Sequence, residues 1–95
     1  IKHTSSIIDD FSLEQNYPNP FNPATTIEFT IVKNERVSLS IYNLLGQKVT
    51  ELLNGNYVSG RYQVTFDASK LSSGVYIYQL KTASRQIAKK MELLK

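Results

Sequence analysis

Residues 26–42 read TIEFTIVKNERVSLSIY, and their alternation sets the fold class. Ile27, Phe29 and Ile31 alternate with Thr26, Glu28 and Thr30; after the polar turn Lys33-Asn34-Glu35, Val37, Leu39 and Ile41 alternate with Ser38, Ser40 and Tyr42. Successive side chains of a strand point to opposite faces, so a period of two sets one face against a core and the other in water. The stretch predicts two half-buried strands joined by a turn.

The same reading extends outward. Tyr62, Val64 and Phe66 alternate with Gln63 and Thr65, giving a third half-buried strand. GVYIYQLK at 74–81 is apolar on both faces from Val75 to Tyr78, as a central strand would be. A shorter strand is expected over Gln47 to Leu53, and a last one near Gln86 to Leu94 with Ile87, Met91 and Leu93 on one side. The segment AKKMELLK also suits a helix by propensity, so both readings of the end stand. Turn signals fall at Leu45-Gly46-Gln47, Asn54-Gly55-Asn56, Ser59-Gly60, Ser72-Ser73-Gly74 and Thr82-Ala83-Ser84. YPNPFNP at 17–23 excludes a helix there, because each proline lacks a donor and pushes its predecessor toward extended conformations. The sum is an all-β protein: an immunoglobulin-like antiparallel β-sandwich of about seven strands. In LSSGVYIY, Tyr76 stands where a tyrosine corner sends its hydroxyl back to the upstream backbone, with ordinary strand packing as the alternative.

At 95 residues the chain has room for one domain, and without cysteine its stability rests on packing alone. Residues 1–16, with Ile7, Ile8, Phe11 and Leu13 in no sustained period, read as a linker or edge segment from an upstream parent; residues 17–95 read as the domain. The start at Ile1 fits an excised fragment, and any export signal is expected upstream. No apolar run reaches the ~20 residues that span a bilayer, so no integral membrane segment is expected. The charge of +3 is mild, though residues 81–95 set Lys81, Arg85, Lys89, Lys90 and Lys95 against Glu92 alone. Nucleic-acid binding would call for a denser basic stripe with stacking aromatics, and none is expected.

The residues offer little to catalysis. His3, the one histidine, lies in the leading segment, far from any strand that would hold a nucleophile beside it. Asp9 and Asp10 are adjacent there, while Glu28, Glu35, Glu51 and Asp67 look like solvated strand or turn charges. No loop repeats Asp or Asn at cation-ligand spacing, and the glycines form no phosphate motif. No catalytic residue, metal or cofactor is expected. The tyrosines and phenylalanines would serve a sugar-stacking platform if exposed, but strand alternation assigns Tyr62, Tyr76 and Tyr78 mainly to the core.

Four blocks carry a resemblance: LEQNYPNPFNPATTIEFTI at 13–31, IYNLLGQKV at 41–49, LSSGVYIYQL at 71–80 and KKMELLK at 89–95. In this order they resemble the type A C-terminal sorting domains of type IX (Por) secretion in the Bacteroidetes, which are similar in fold to the immunoglobulin-like domain of the flagellar hook-capping protein. The resemblance implies a non-catalytic tag at the end of a larger cargo protein. Such cargo reaches the periplasm by the general secretory route and is passed by the type IX translocon over the outer membrane to the cell surface or medium. It further implies removal of the tag by a surface sortase, with cleavage within residues 1–16, and in some members attachment of the cargo to an anionic lipopolysaccharide. By position, Pro18, Asn19, Pro20 and Phe21 match the entry motif, Gly74 and Tyr76 the turn before the central strand, and Lys89, Lys90, Met91, Glu92, Leu93, Leu94 and Lys95 the terminal sorting signal. Terminal lysines also serve simply to keep an edge strand from aggregating. The other function class is an immunoglobulin-like binding or adhesion module that contacts carbohydrate or a surface partner.

Overall fold

The eight-residue ladder between ATTIEFTI and GRYQVTFD is the spine of one sheet, because each segment presents apolar groups on one face only. The computed structural model describes residues 1–4 and 10–95, with side chains described for Ile1 and from Asp10 onward. Its strands, in chain order, are β1 (Lys2–Thr4), β2 (Ser12–Leu13), β3 (Ala24–Ile31), β4 (Glu35–Tyr42), β5 (Lys48–Tyr57), β6 (Gly60–Asp67), β7 (Gly74–Lys81) and β8 (Gln86–Leu93). They form two four-stranded antiparallel sheets, ordered β1-β6-β3-β2 and β5-β4-β7-β8. The second order, read β8-β7-β4-β5, is the G-F-C-C′ arrangement of immunoglobulin-like sandwiches.

The alternating residues meet between the sheets. Ile27, Phe29, Ile31, Val37, Leu39 and Ile41 are all buried, joined by Tyr62, Val64, Phe66, Tyr76, Tyr78, Leu80, Met91 and Leu93 in one core. Phe29 and Tyr62, opposite one another in the β3–β6 ladder, stack at 5.2 Å, and Tyr57 meets Tyr62 edge-on at 5.4 Å. The Phe29–Tyr62 pair adds a few tenths to about 1 kcal/mol beyond burial and resists slippage of register, while Tyr57–Tyr62 joins the two sheets. Ser40 is buried although alternation turns it outward; it lies between Glu51 and Gln79 in the central ladder, and their longer side chains flank it.

Two local expectations change. Asn54-Gly55-Asn56 is not a turn: β5 runs through it, pairing Asn54 with Ser38, Gly55 with Val37 and Asn56 with Arg36. The full length of β4 offers hydrogen-bond partners there, and a ladder outweighs local turn propensity. Two register shifts, at Leu39/Ser40 and Ile41/Tyr42, let the longer β5 stay in step with β4. At the other end, β8 is a strand and not the helix its propensity allows. Pairing with β7 buries Met91 and Leu93 together, which their spacing of two permits only in extended chain.

The leading segment supplies edge strands. β1 pairs with the start of β6, and β2 pairs Ser12 with Thr30 and Leu13 with Phe29, so Leu13 is buried. Phe11 packs on the core with the Arg85 guanidinium 5.5 Å from its ring centre. Ile7, Ile8 and Asp9 lie outside the described residues, as does the side chain of His3.

Candidate functional site

The prolines of the entry turn leave no orphan N–H groups, so this segment can cross from one sheet to the other without a ladder of its own. Tyr17 is bridged to Thr26 of β3 by two backbone hydrogen bonds of 2.9 Å. Four residues on, Phe21 is bridged to the opposite sheet: its N–H donates to the Glu92 carbonyl at 2.9 Å, and its carbonyl accepts from Leu94 N–H at 3.0 Å. Pro23 then returns to the first sheet, its carbonyl accepting from Ala68 N–H. The Phe21 ring is buried, with Phe66 of the first sheet 6.4 Å away. The entry turn is therefore a strap across one end of the sandwich, with an aromatic plug beneath it.

Buried polar side chains hold the strap. Asn16 donates from Nδ2 to the Pro18 carbonyl at 3.1 Å and to Thr25 Oγ1 at 3.0 Å, and the Thr25 hydroxyl donates to the same Pro18 carbonyl at 2.9 Å. The hydroxyl of Tyr78, itself fully buried, donates to the Glu14 carbonyl at 2.7 Å and accepts from Asn16 N–H at 2.8 Å. Burial pushes this phenol up to about 12, against the hydrogen bond from Asn16. Among the described residues no buried side-chain nitrogen or oxygen lacks a partner.

The outer edge of β8 receives the other half of the strap. Glu92 turns both backbone groups away from β7: its N–H donates to Asn19 Oδ1 at 2.9 Å and its carbonyl accepts from Phe21. Two residues earlier the Lys90 carbonyl accepts from Gln15 Nε2 at 2.7 Å. Side chains thus stand in for a missing neighbour strand. On the inner side of β8, Leu93 faces Gly74 and Met91 faces Tyr76. Gly74 has φ +155°, which a side chain rarely adopts, and the following Tyr76 hydroxyl donates to the Ser72 carbonyl at 2.7 Å, forming the corner. Pro18 to Phe21, Gly74, Tyr76 and the last seven residues, distant in sequence, converge on one end and edge of the sandwich.

The terminal residues divide by side. Met91 and Leu93 are buried, Lys90, Glu92 and Lys95 exposed, and Lys89 half-buried on the face it shares with Met91. Leu94 is half-exposed, because it follows Leu93 and points the other way. Lys95 is tied down by Ser73 Oγ, which accepts from its N–H, and by the Ser69 carbonyl, which accepts from Nζ at 2.6 Å.

A family model described as a secretion system C-terminal sorting domain matches residues 15–93. The chain belongs to this family. It is accordingly a C-terminal sorting signal for type IX secretion, part of a larger protein bound for the cell surface or the medium. No curated protein matches the chain. Among the described residues of the sorting domain, no helix is long and apolar enough to cross a membrane, and no group of three or more His, Cys, Asp or Glu is placed to hold a metal ion.

The sequence does not mark Gln15, Asn16 and Thr25 as supports of the strap: Gln15 and Asn16 lie outside any alternating run, and although Thr25 shares the face of Ile27, Phe29 and Ile31, nothing local shows that its hydroxyl meets Pro18. The second tyrosine corner did leave a signal. Ser59-Gly60-Arg61-Tyr62 repeats the pattern of Ser73-Gly74-Val75-Tyr76, and Tyr62 donates to the Val58 carbonyl at 2.6 Å, four residues back as in the first corner. Tyr62→Phe or Tyr76→Phe each leaves that carbonyl short of a donor while keeping the ring. A loss of about 1 kcal/mol is expected for either in urea denaturation; unchanged midpoints in both would mean the corners do not stabilise the fold.

Proposed function

We propose that the sorting domain is a non-catalytic tag that the type IX translocon reads at β8 and the entry strap, carrying cargo from the periplasm over the outer membrane, after which a surface sortase removes it. The observation that carries this is the convergence of the entry motif, the Gly74–Tyr76 turn and the terminal segment at one edge. A signal at a chain end must be held in one shape yet stay reachable. β8 has an inner face locked by Met91 and Leu93 and an outer face with Lys90 and Glu92 in solvent. The processing cut belongs in the leading segment of residues 1–16, ahead of Phe11, because Phe11, Leu13 and Asn16 are built into the sandwich. A non-catalytic role accords with the side-chain chemistry. The surface depression of about 390 Å³ walled by Phe66, Asp67, Lys70 and Leu71 contains one carboxylate, and Asp67 Oδ1 accepts from Ser69 N–H in a turn.

Deleting Lys90 to Lys95 from a cargo fusion should leave the cargo in the periplasm of a type IX-competent host. The deletion also removes Met91 and Leu93 from the core, so unfolding alone would block export. Lys90→Gln separates the two, since that side chain is exposed. Lost surface delivery at an unchanged thermal midpoint means that the charge is read. Normal delivery by the deletion and the substituted form together would overturn the terminal-signal reading.

A further inference from the structure

Asn54-Gly55 has the local sequence of a turn and lies in a strand. No other asparagine in the chain is followed by glycine. With no side chain at residue 55, the Gly55 nitrogen has unhindered access to Asn54 Cγ, the side-chain carbonyl carbon, whenever the backbone there is free to turn. The fold does not ask for that glycine. Its φ is not in the left-handed region, and a Cβ there would meet only Tyr57 Cε2 at 3.8 Å, an ordinary contact.

The ladder holds the nitrogen away from Cγ. In the β7–β8 hairpin Thr82 N–H donates to the Arg85 carbonyl; back from that pair, even-numbered residues of β7 turn their backbone groups to β8 and odd-numbered ones to β4. Lys81 lies opposite Ser38, so the odd-numbered residues of β4, Val37 among them, face β5. Gly55 lies opposite Val37, and its N–H is committed to the Val37 carbonyl in the plane of the sheet. The Asn54 side chain stands out of that plane, exposed, with Nδ2 donating to Glu51 Oε1 at 2.9 Å. Attack on Cγ therefore requires the ladder bond to break and Asn54 to rotate out of extended geometry.

We propose that Asn54 is a self-modifying site gated by folding: its amide is kept while β5 lies on β4 and is lost from chains held unfolded. The Gly55 nitrogen gives its proton to solvent and bonds to Asn54 Cγ; the Cγ–Nδ2 bond breaks, and ammonia leaves with a proton taken from solvent. Water then opens the succinimide ring. Breaking the ring at Cγ gives aspartate, and breaking it at the backbone carbonyl carbon of residue 54 gives isoaspartate, with the main chain routed through Cβ and Cγ. One water is consumed and one ammonia released, with no change of oxidation state. Both products disturb β5. Each replaces the donor to Glu51 by a second carboxylate, and isoaspartate lengthens the chain between Leu53 and Gly55, which face Leu39 and Val37 in register. Copies modified while unfolded thus re-form the ladder poorly, and folded copies keep it.

The test incubates the purified chain at mildly alkaline pH in native buffer and in urea above its unfolding midpoint, following the peptide that contains residue 54 by mass spectrometry for exchange of amide for acid. Loss of the amide should be roughly tenfold or more slower in native buffer, because it waits on the opening of β5. Gly55→Ala should keep the amide in urea and fold with a thermal midpoint no lower than the parent's, its backbone being compatible with a side chain. If that variant folds poorly, hydrogen exchange on the parent decides, with the Gly55 amide expected to be protected. Returned from urea, aged parent should refold in lower yield than fresh parent, a deficit that aged Gly55→Ala should lack. Equal rates in native buffer and urea, or free exchange of the Gly55 amide in the folded chain, would overturn the proposal. Full recovery of the parent's midpoint by chains carrying isoaspartate at residue 54 would overturn the effect assigned to it on β5.

Discussion

Phe21→Ala lowers the unfolding free energy by about 3–5 kcal/mol, the range for truncating a fully buried aromatic ring. The size follows from where the ring sits. Phe21 is 2% exposed, packs near Phe66 of one sheet and is hydrogen-bonded through its backbone to Glu92 and Leu94 of the other. Truncation leaves a cavity at the closed end of the sandwich, and the strap over it, held by Asn16 and Thr25, cannot collapse inward without breaking its own hydrogen bonds. Phe21→Leu keeps much of the volume and should lose less. Chemical denaturation of the isolated domain checks both, and an Ala midpoint equal to that of the parent would show that the ring is not the plug described.

Tyr78→Phe comes second, at about 2–4 kcal/mol. The substitution keeps the ring in the core and removes one oxygen, leaving the Glu14 carbonyl without its donor and the buried Asn16 N–H without its acceptor. Two orphaned backbone groups cost more than one lost hydrogen bond, which separates this variant from the corner substitutions. A pH dependence accompanies it. Because burial raises the phenol from its ordinary 10 to about 12, the native state holds the proton more tightly than the unfolded chain does. The resulting stability is fully present below pH 10 and is lost as pH rises through 12, a decline of about 2–3 kcal/mol that Tyr78→Phe lacks. The difference between parent and variant across that window isolates Tyr78, because every other group is common to both. Identical alkaline profiles would rule the buried phenol out as their cause.

These two residues differ in how visible they were. Phe21 stands between Pro20 and Pro23, where an aromatic has few reasons to be exposed, and its motif marked it in the sequence. Tyr78 was visible as a core residue by alternation, but the partners of its hydroxyl lie more than sixty residues away. A pattern of period two reports which face a side chain takes and says nothing of which distant carbonyl its polar tip will meet. The outward apolar residues Tyr42, Val75 and Ile77 show the same limit from the other side. In the sequence Val75 and Ile77 blur the alternation of β7 into a reading of burial on both faces, and only the sheet order shows them, with Tyr42, on a face that no layer among the described residues covers.

By itself the sequence determined the strand faces, most of the turns, the strap's non-helical path and the family, because each depends on residues within a few positions or on motifs that keep their order. The tertiary structure alone decided three things: that Asn54-Gly55-Asn56 stays in β5, that the final segment is a strand, and that Gln15, Asn19 and Phe21 seal the edge of that strand. The first two turn on whole ladders with the preceding strand, β4 or β7, and the third on bonds to backbone groups of β8 more than seventy residues along the chain. A donor or acceptor has no local signature of its partner until the sheets assemble, and once they do, a ladder of such bonds outweighs the helix or turn preference of any single residue in it.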